Sequence, residues 1–539
     1  MRERHEMVLA DLIQIRAEQT PDLDVLTFEH LSLDDRATPD EVRSYGDLQT
    51  NANRLAAGLA AKGVGVGDRI AIMMRNHPEF VEGMIAASIL GALFVPIDPR
   101  TRGEKLAYML RNSGAVGALC ADTCLDELAS VRDQVPDLAW LLAIETGEPA
   151  PSIADTPGAL PLREILETPA DTLELGGDGL LAPLQIMYTS GTTGDPKGIV
   201  GVNMRFCAAG MLADLFPYGP DERPYTGLSF THGNAQSVTL APALTRGLRA
   251  VISRRFTKSR LWDVCRSLGC TSFSLVGGMA TAIYSQPEQG DDADNPVRMV
   301  VSGGMPPAIW EAFEKRFDLR VFEFYGAMDG GGMAFKPVGQ GPIGSFGKPM
   351  DSIEMKILDA DDKECAPGVV GEICVRPAGG GEAEVEYFGN PDASKKKIRR
   401  GWNRSGDMGH RDADDWLFFD YRTGGGIRHN GDFINPSFVE KAIAEHPAVT
   451  DVFVYGVTAA SGAPGEKDVV AAIAFAESAP HDTDAVFAQC REKLEPNFVP
   501  SYLQVVDQIP KTASEKPQER ILLQQFDANA SNVHRPSGA

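Results

Sequence analysis

Long apolar runs are missing from this chain. No stretch approaches the ~18 consecutive apolar residues that a membrane-crossing helix needs, so no membrane partner is expected. An excess of positive charge is missing too. Lys and Arg number 51 against 75 Asp and Glu, for a net charge of -24, which repels nucleic-acid backbones and anionic lipid surfaces. No nucleic-acid partner is expected, and any polyanionic ligand must be met by a local basic pocket. Cysteine is sparse and unpatterned: there are eight, and Cys120 and Cys124 lack the two-residue spacing of a redox or zinc pair. Reduced, structural thiols are the reading. Residues 1–12 carry acidic side chains and no uninterrupted apolar core, so a signal peptide is not expected and a cytoplasmic location is. No internal repeat is visible.

What is present is a globular composition, 43% hydrophobic and 23% charged, over 539 residues. That length exceeds one ordinary core, so two or more domains are expected. Over 45–62, Leu48, Ala52, Leu55 and Leu59 share one helical face, with Gly63 placed to stop the helix. Short apolar strands are predicted at 69–74, 93–97 and 116–121 with helices between them, which is βαβ grammar. The segment 147–177, rich in Pro, Gly and acidic residues, reads as a long connection with a short helix near 162–167. Strands follow at 184–187, 225–229, 250–253, 272–276, 299–302 and 320–324, with a helix at 307–317. Beyond 339 the pattern turns β-rich, with strands at 352–358, 370–375 and 416–420. After T-G-G-G at 423–426 a compact α+β pattern appears: helix 436–445, strands 451–457 and 469–475, helix 484–493. The end, from about 527, reads as disordered.

Chemistry concentrates first at 188–198, Y-T-S-G-T-T-G-D-P-K-G. Thr189, Ser190, Gly191, Thr192, Thr193 and Gly194 surround one cation, Lys197. Small residues let backbone N–H groups approach an anion, while hydroxyls and an ammonium add donors, a composition suited to polyphosphate. The G-x-x-x-x-G-K-[ST] spacing is not met, so this is a different phosphate loop. Next, Ser302-Gly303-Gly304 and Glu323-Phe324-Tyr325-Gly326 end two predicted strands, placing two loops at the carboxyl edge of one sheet, where ligands of α/β folds bind. Trp402-Asn403-Arg404-Ser405-Gly406-Asp407 and Arg422 form a third group. The fourth runs from Pro510 through Lys511 and Thr512 to Glu515-Lys516-Pro517. Standing alone, an S-G-D is a turn and a surface Lys is a solvated charge.

Together these motifs resemble the adenylate-forming superfamily of acyl-CoA synthetases, aryl-CoA ligases, peptide-synthetase adenylation domains and luciferases. The resemblance covers most of the chain. It implies an α/β plus α+β fold: a large N-terminal domain, 1–422, of two βαβ sheets with a β-rich subdomain at about 339–422; a hinge, 423–426; and a small mobile C-terminal α+β domain, 427–539. It implies that the loop at 188–198 grips ATP phosphates, with Thr189 also near the metal. Ser302, Gly303, Gly304, Glu323, Phe324, Tyr325, Gly326 and Met328 would surround the adenine and α-phosphate. Asp407 would accept both ribose hydroxyls, with Phe419 and Arg422 nearby, and Lys516 would carry charge to the reacting carboxylate. Asp329 stands where the superfamily has a Glu that helps to hold Mg²⁺, and reaches ~1.5 Å less. Met328 replaces a Thr, Glu515 a Gly, and Gly424 the hinge Asp or Lys.

For thioester formation, His429, Asn430, Gly431, Asp432 and Phe433 would line the CoA tunnel. His232 would gate it. The acyl pocket would take in His232, Val276, Gly277, Gly303, Gly330, Gly331 and Met333, a glycine-rich set that points to a roomy site and a bulky or polycyclic acid. The basic run 395–400 reads as a solvated loop, or as a contact for a phosphate of ATP or CoA.

The expected reaction is AMP-forming acyl-CoA synthesis from a small-molecule carboxylic acid, ATP and CoA with Mg²⁺, by an enzyme similar to the carnitine- and crotonobetaine-CoA ligase branch. One alternative, similar to actinobacterial natural-product ligases of the platensimycin type used in antibiotic biosynthesis, performs only CoA transfer from a ready-made acyl-AMP. The others are a carrier-protein ligase and a non-catalytic nucleotide-binding homologue. A homodimer is the oligomeric expectation.

Overall fold

The computed structural model describes residues 4–33, 38–176, 179–188, 196–219, 221–330, 332–422, 427–429, 432–434, 436–460, 467–477, 479–494, 496–512 and 515–536, with backbone alone at 428, 432, 433 and 437. The chain forms two compact units, Met1–Ser274 with Glu386–Lys395, and Leu275–Val385 with Lys396–Ala539.

The first unit holds a seven-stranded sheet in the order Ala159–Pro161, Trp140–Ile144, Ala115–Ala121, Arg69–Met73, Leu93–Pro96, Pro183–Tyr188, Gly198–Val202. All neighbours are parallel except the last pair. The helix Tyr45–Ala61 belongs to this unit and forms for readable reasons. Ser44 and Asp47 close a capping box at its start, and Leu48, Ala52, Leu55 and Leu59 are fully buried. Gly63, at φ +89°, lets the chain leave in the left-handed region. A second group of strands in this unit pairs Asp24–Glu29 with Glu41–Ser44 and with Ala250–Ser253, which in turn pairs with Pro224–Thr226.

In the second unit, Met299–Gly303 runs parallel to Arg320–Gly326. Antiparallel strands Met333–Lys336, Ser345–Pro349, Leu417–Arg422, Trp402–Arg411, Gly371–Pro377 and Ile353–Leu358 follow in that order. A separate four-stranded sheet pairs Val449–Thr458, Lys467–Phe475, Tyr502–Val505 and Val533–His534. Its apolar core includes Val439 and Ile443 of helix Pro436–Ala444 and Phe487 and Cys490 of helix Thr483–Lys493.

Three local expectations differ from the structure. Residues 527–536 are ordered: Val533–His534 adds an antiparallel strand to Tyr502–Val505, and Val533 is buried. Its two-residue length left no periodicity to read. The segment 147–177 contains a short edge strand, Ala159–Pro161, beside its helix Leu162–Leu166. The strand expected over 225–229 stops at Thr226; just beyond it, a side chain at Gly227 would meet the Phe256 backbone at 2.8 Å, so that position takes glycine. All eight cysteines are buried and free. No helix among the described residues is long and apolar enough to cross a membrane.

Candidate active site

The second unit brings most of the predicted nucleotide residues into one neighbourhood. Register pairs Ser302 with Glu323 across the parallel strands, so the S-G-G and E-F-Y-G sequences end side by side. The loop beyond Ser302 exposes backbone N–H groups that no strand partner satisfies. Glu323 satisfies them: its carboxylate accepts from Gly304 N and, at 3.0 Å, from Met305 N. Burial pushes Glu323 up to about 7, and those backbone bonds oppose the shift. Gly304 sits at φ +101°. A methyl on Gly277 would lie 2.4 Å from the Gly304 carbonyl oxygen, so the chain passes too closely for any side chain there.

Tyr325 faces two partners. Its ring stacks on Phe346 at 4.6 Å and 27°, and its hydroxyl donates to Asp407 Oδ2 at 2.7 Å. Burial and then the Asp407 charge raise the phenol's pKa, so it stays a donor. Asp407 is 3% exposed. Its other oxygen, Oδ1, accepts from Arg422 Nε at 2.7 Å, because antiparallel register sets Asp407 opposite Arg422. A carboxylate accepts at about four positions. Two of Asp407's are therefore still available for a diol.

Lys516 reaches the same neighbourhood. As a residue Lys516 is exposed, yet desolvation of its ammonium by surrounding protein lowers its pKa, the like charge of Arg422 lowers it further, and Asp407 opposes both. Its loop is closed on itself: Thr512 N donates to Lys516 O at 2.8 Å, and Gln518 N to Pro510 O at 2.7 Å. Lys511 anchors the loop through an ion pair with Asp451 at 2.6 Å. Glu515 takes φ +57°, a region glycine enters without steric cost and a side chain does not.

Asp329 takes a different place from the one expected. Lys397 Nζ lies 2.8 Å from its Oδ2, and Asn403 Nδ2 donates to its backbone oxygen at 2.7 Å. Magnesium takes oxygen ligands at short, near-octahedral distances and is held by one or two carboxylates plus substrate phosphates. The described residues contain no group of three His, Cys, Asp or Glu placed for a metal. A resident protein-held ion does not fit them, because the one carboxylate expected to hold it already faces an ammonium.

One glycine of the expected acyl set, Gly330, and its neighbour Gly332 are closely packed. Added methyls would meet Asn403 Nδ2 at 2.8 Å from Gly330 and Val375 at 2.5 Å from the adjacent Gly332. Close packing explains those glycines, so they carry no argument for a bulky acid. Val276 is buried, and Met333 pairs with Gly326 in the sheet. Phe419 points outward, 48% exposed, and Phe324 is half-buried. Met328 follows Gly326 and is half-buried. His429 uses Nδ1 to donate to Lys467 O at 2.7 Å, while Asp432 and Phe433 are described by backbone alone, in the strand Asp432–Ile434 that pairs with Ile427–His429.

Two candidates among the described residues belong to the first unit. Lys197 lies 5.1 Å from the centre of the Tyr387 ring, on a segment that pairs backbone to backbone with Ile199. His232 is half-buried, ahead of a π-helix, Ala235–Leu240. Thr189, Ser190, Gly191, Thr192, Thr193, Gly194, Gly331, Gly424 with the rest of 423–426, Asn430 and Gly431 lie outside the described residues.

Sequence reasoning missed Phe346, and it did not foresee the contacts of Asn403, named within the third motif, or of Lys397, named within the basic run. Phe346 and Asn403 carry no spacing signal. Lys397 lies in the run read as a solvated loop or as a contact for a phosphate of ATP or CoA; it ends a helix, Pro391–Lys397, with its side chain 15% exposed, and Arg399, Arg400 and Arg404 converge on Asp362.

A strand-end loop, a buried carboxylate held by a phenol and a guanidinium, and a nearby lysine make up the candidate site. Residues 13–380 match the AMP-binding enzyme family and 439–516 the AMP-binding enzyme C-terminal domain. The chain belongs to the AMP-binding enzyme family. It is 29% identical over 522 residues, covering 96% of this chain and 97% of the relative, to a sulfoacetate–CoA ligase of Cupriavidus necator. It is 26% identical over 487 residues, covering 88% and 91%, to a crotonobetaine/carnitine–CoA ligase of Salmonella typhi. Among solved structures, an anthranilate CoA ligase, AuaEII, in complex with anthranoyl-AMP superimposes with a TM-score of 0.81 over 96% of both chains at 21% identity. The fold is that of the adenylate-forming enzymes.

Proposed function

We propose that this protein is an AMP-forming acid–thiol ligase that converts a carboxylic acid to its CoA thioester through an acyl-adenylate. The observation that carries the reading is the array around Asp407, fixed by Tyr325 and Arg422 and within the electrostatic reach of Lys516. The relatives named as CoA ligases support it.

In the first half-reaction a carboxylate oxygen attacks the α-phosphorus of ATP and the bond to pyrophosphate breaks. In the second, the CoA sulfur attacks the acyl carbon, AMP departs with the bonding pair, and the thiol proton passes to solvent. The chain's residues supply positioning and charge. Asp407 receives the ribose hydroxyls, Arg422 holds that carboxylate in place, and Glu323 fixes the loop whose N–H groups border the site. Lys516 brings a cation toward the oxygens where charge builds. Magnesium, arriving on the ATP phosphates, offsets their charge. The sequence division into 1–422 and 427–539, joined at 423–426, would let one lobe serve both half-reactions.

The test is acid-dependent exchange of labelled pyrophosphate into ATP, followed by thioester formation with free CoA, across sulfonated, betaine-type, aryl and fatty acids. Exchange with one class identifies the substrate. CoA transfer from synthetic acyl-AMP without any exchange overturns the adenylating half of the proposal.

A further inference from the structure

The pairing of Asp329 with Lys397 goes beyond the reaction class. The two side chains are 17% and 15% exposed, and 2.8 Å separates Oδ2 from Nζ. Lys397 also donates to the Ser405 carbonyl oxygen at 3.1 Å, two residues before Asp407. One ammonium thus ties the loop after strand Arg320–Gly326 to the turn that presents the ribose carboxylate. Asn403 reinforces the same link by holding the Asp329 backbone. These contacts use two of the three N–H donors of an ammonium, leaving one for a ligand oxygen.

Resting on the nucleotide-ligase reading, we infer that Lys397 is a built-in cation of the nucleotide site: it takes over charge that a metal would supply at Asp329, and so sets how far ATP binding depends on a divalent ion. The physical reason is competition. A carboxylate paired at hydrogen-bond distance with an ammonium is a poor ligand for Mg²⁺, which must shed water to bind and would then sit beside a like charge. The same ammonium, held in place by two protein oxygens, costs little reorganisation when a phosphate oxygen arrives.

The experiment is calorimetric titration of the full-length protein with adenosine 5′-(α,β-methylene)triphosphate, which resists attack at the α-phosphorus, with magnesium in excess or with EDTA. The wild type is expected to bind both forms within about threefold, and a weakening of about thirtyfold or more in EDTA overturns the inference. Lys397→Met is expected to lose metal-free binding by about 10–100-fold, the range for a lost hydrogen bond to a charged group, while magnesium restores most of it. Lys397→Arg is expected to keep metal-free binding within about fivefold. If Lys397→Met binds the analogue equally well with and without metal, the inference fails. Thermal unfolding of each variant separates lost binding from lost fold, and the wild-type ratio decides the question even if Lys397→Met does not fold. Absence of analogue binding to wild type under both conditions overturns the nucleotide reading itself, a result distinct from a large magnesium ratio.

Discussion

Tyr325 donates its phenolic proton to Asp407 across 2.7 Å, while its ring lies against Phe346. One side chain thus orients the carboxylate proposed to receive ribose and presents a flat surface. Tyr325→Phe keeps the stacking and removes the donor. A hydrogen bond to a charged group is worth about 1.5–3 kcal/mol, so AMP affinity should fall roughly tenfold or more, read by calorimetry. Unchanged affinity would mean that Arg422 alone orients Asp407.

Lys516→Ala should slow acid-dependent pyrophosphate exchange by about 10²–10³-fold, the cost of removing one preorganised group that stabilises developing charge. The thioester step, assayed from synthetic acyl-AMP, should be much less affected. Equal losses in both assays would point to damage to the whole loop instead. Far-ultraviolet circular dichroism and thermal unfolding would then locate that damage.

Glu323 makes stability depend on pH in an unusual direction. Burial raises its folded value to about 7 from an ordinary 4.5, so between those values the folded state holds a proton that the unfolded chain has released. Its stabilising contribution is full below about pH 4.5 and is lost as pH rises toward 7, on the order of 3 kcal/mol in total. Glu323→Gln does not titrate and should show a flatter change in Tm between pH 5 and pH 8. A parallel profile for both proteins would remove Glu323 as the source.

Gly277→Ala places a methyl 2.4 Å from the Gly304 carbonyl oxygen. Overpacking of this kind costs about 1–3 kcal/mol and should displace the loop that Glu323 holds, so stability and nucleotide affinity fall together. Gly290, where an added methyl would meet nothing within 4 Å beyond its chain neighbours, is the control: Gly290→Ala should stay within about 0.5 kcal/mol. Chemical denaturation midpoints check both.

Elements with a full repeat were legible in the sequence. The helix Tyr45–Ala61 and the strands Ala250–Ser253 and Ser272–Val276 lie where period and punctuation put them. The Asp407, Arg422 and Lys516 neighbourhood followed from motif resemblance. What escaped shares one cause: a residue whose role is set by a partner distant in sequence has no local signature. Lys397 looks like any lysine in a basic run until Asp329 is beside it. The glycines at 277 and 330 read as open space because a sequence shows the missing side chain and not the neighbour that fills its place.

The short excursion Glu386–Lys395 has a bearing on how this protein can be dissected. Phe388 N donates to Gly198 O, and Tyr387 bridges Ile199, so ten residues from late in the chain shield the outermost strand of the early seven-stranded sheet. A fragment ending near residue 274 would be born with that flank bare and should self-associate. Grafting 386–395 onto it through a flexible tether should restore a monomer, and the graft would carry back the aromatic ring over which Lys197 rests.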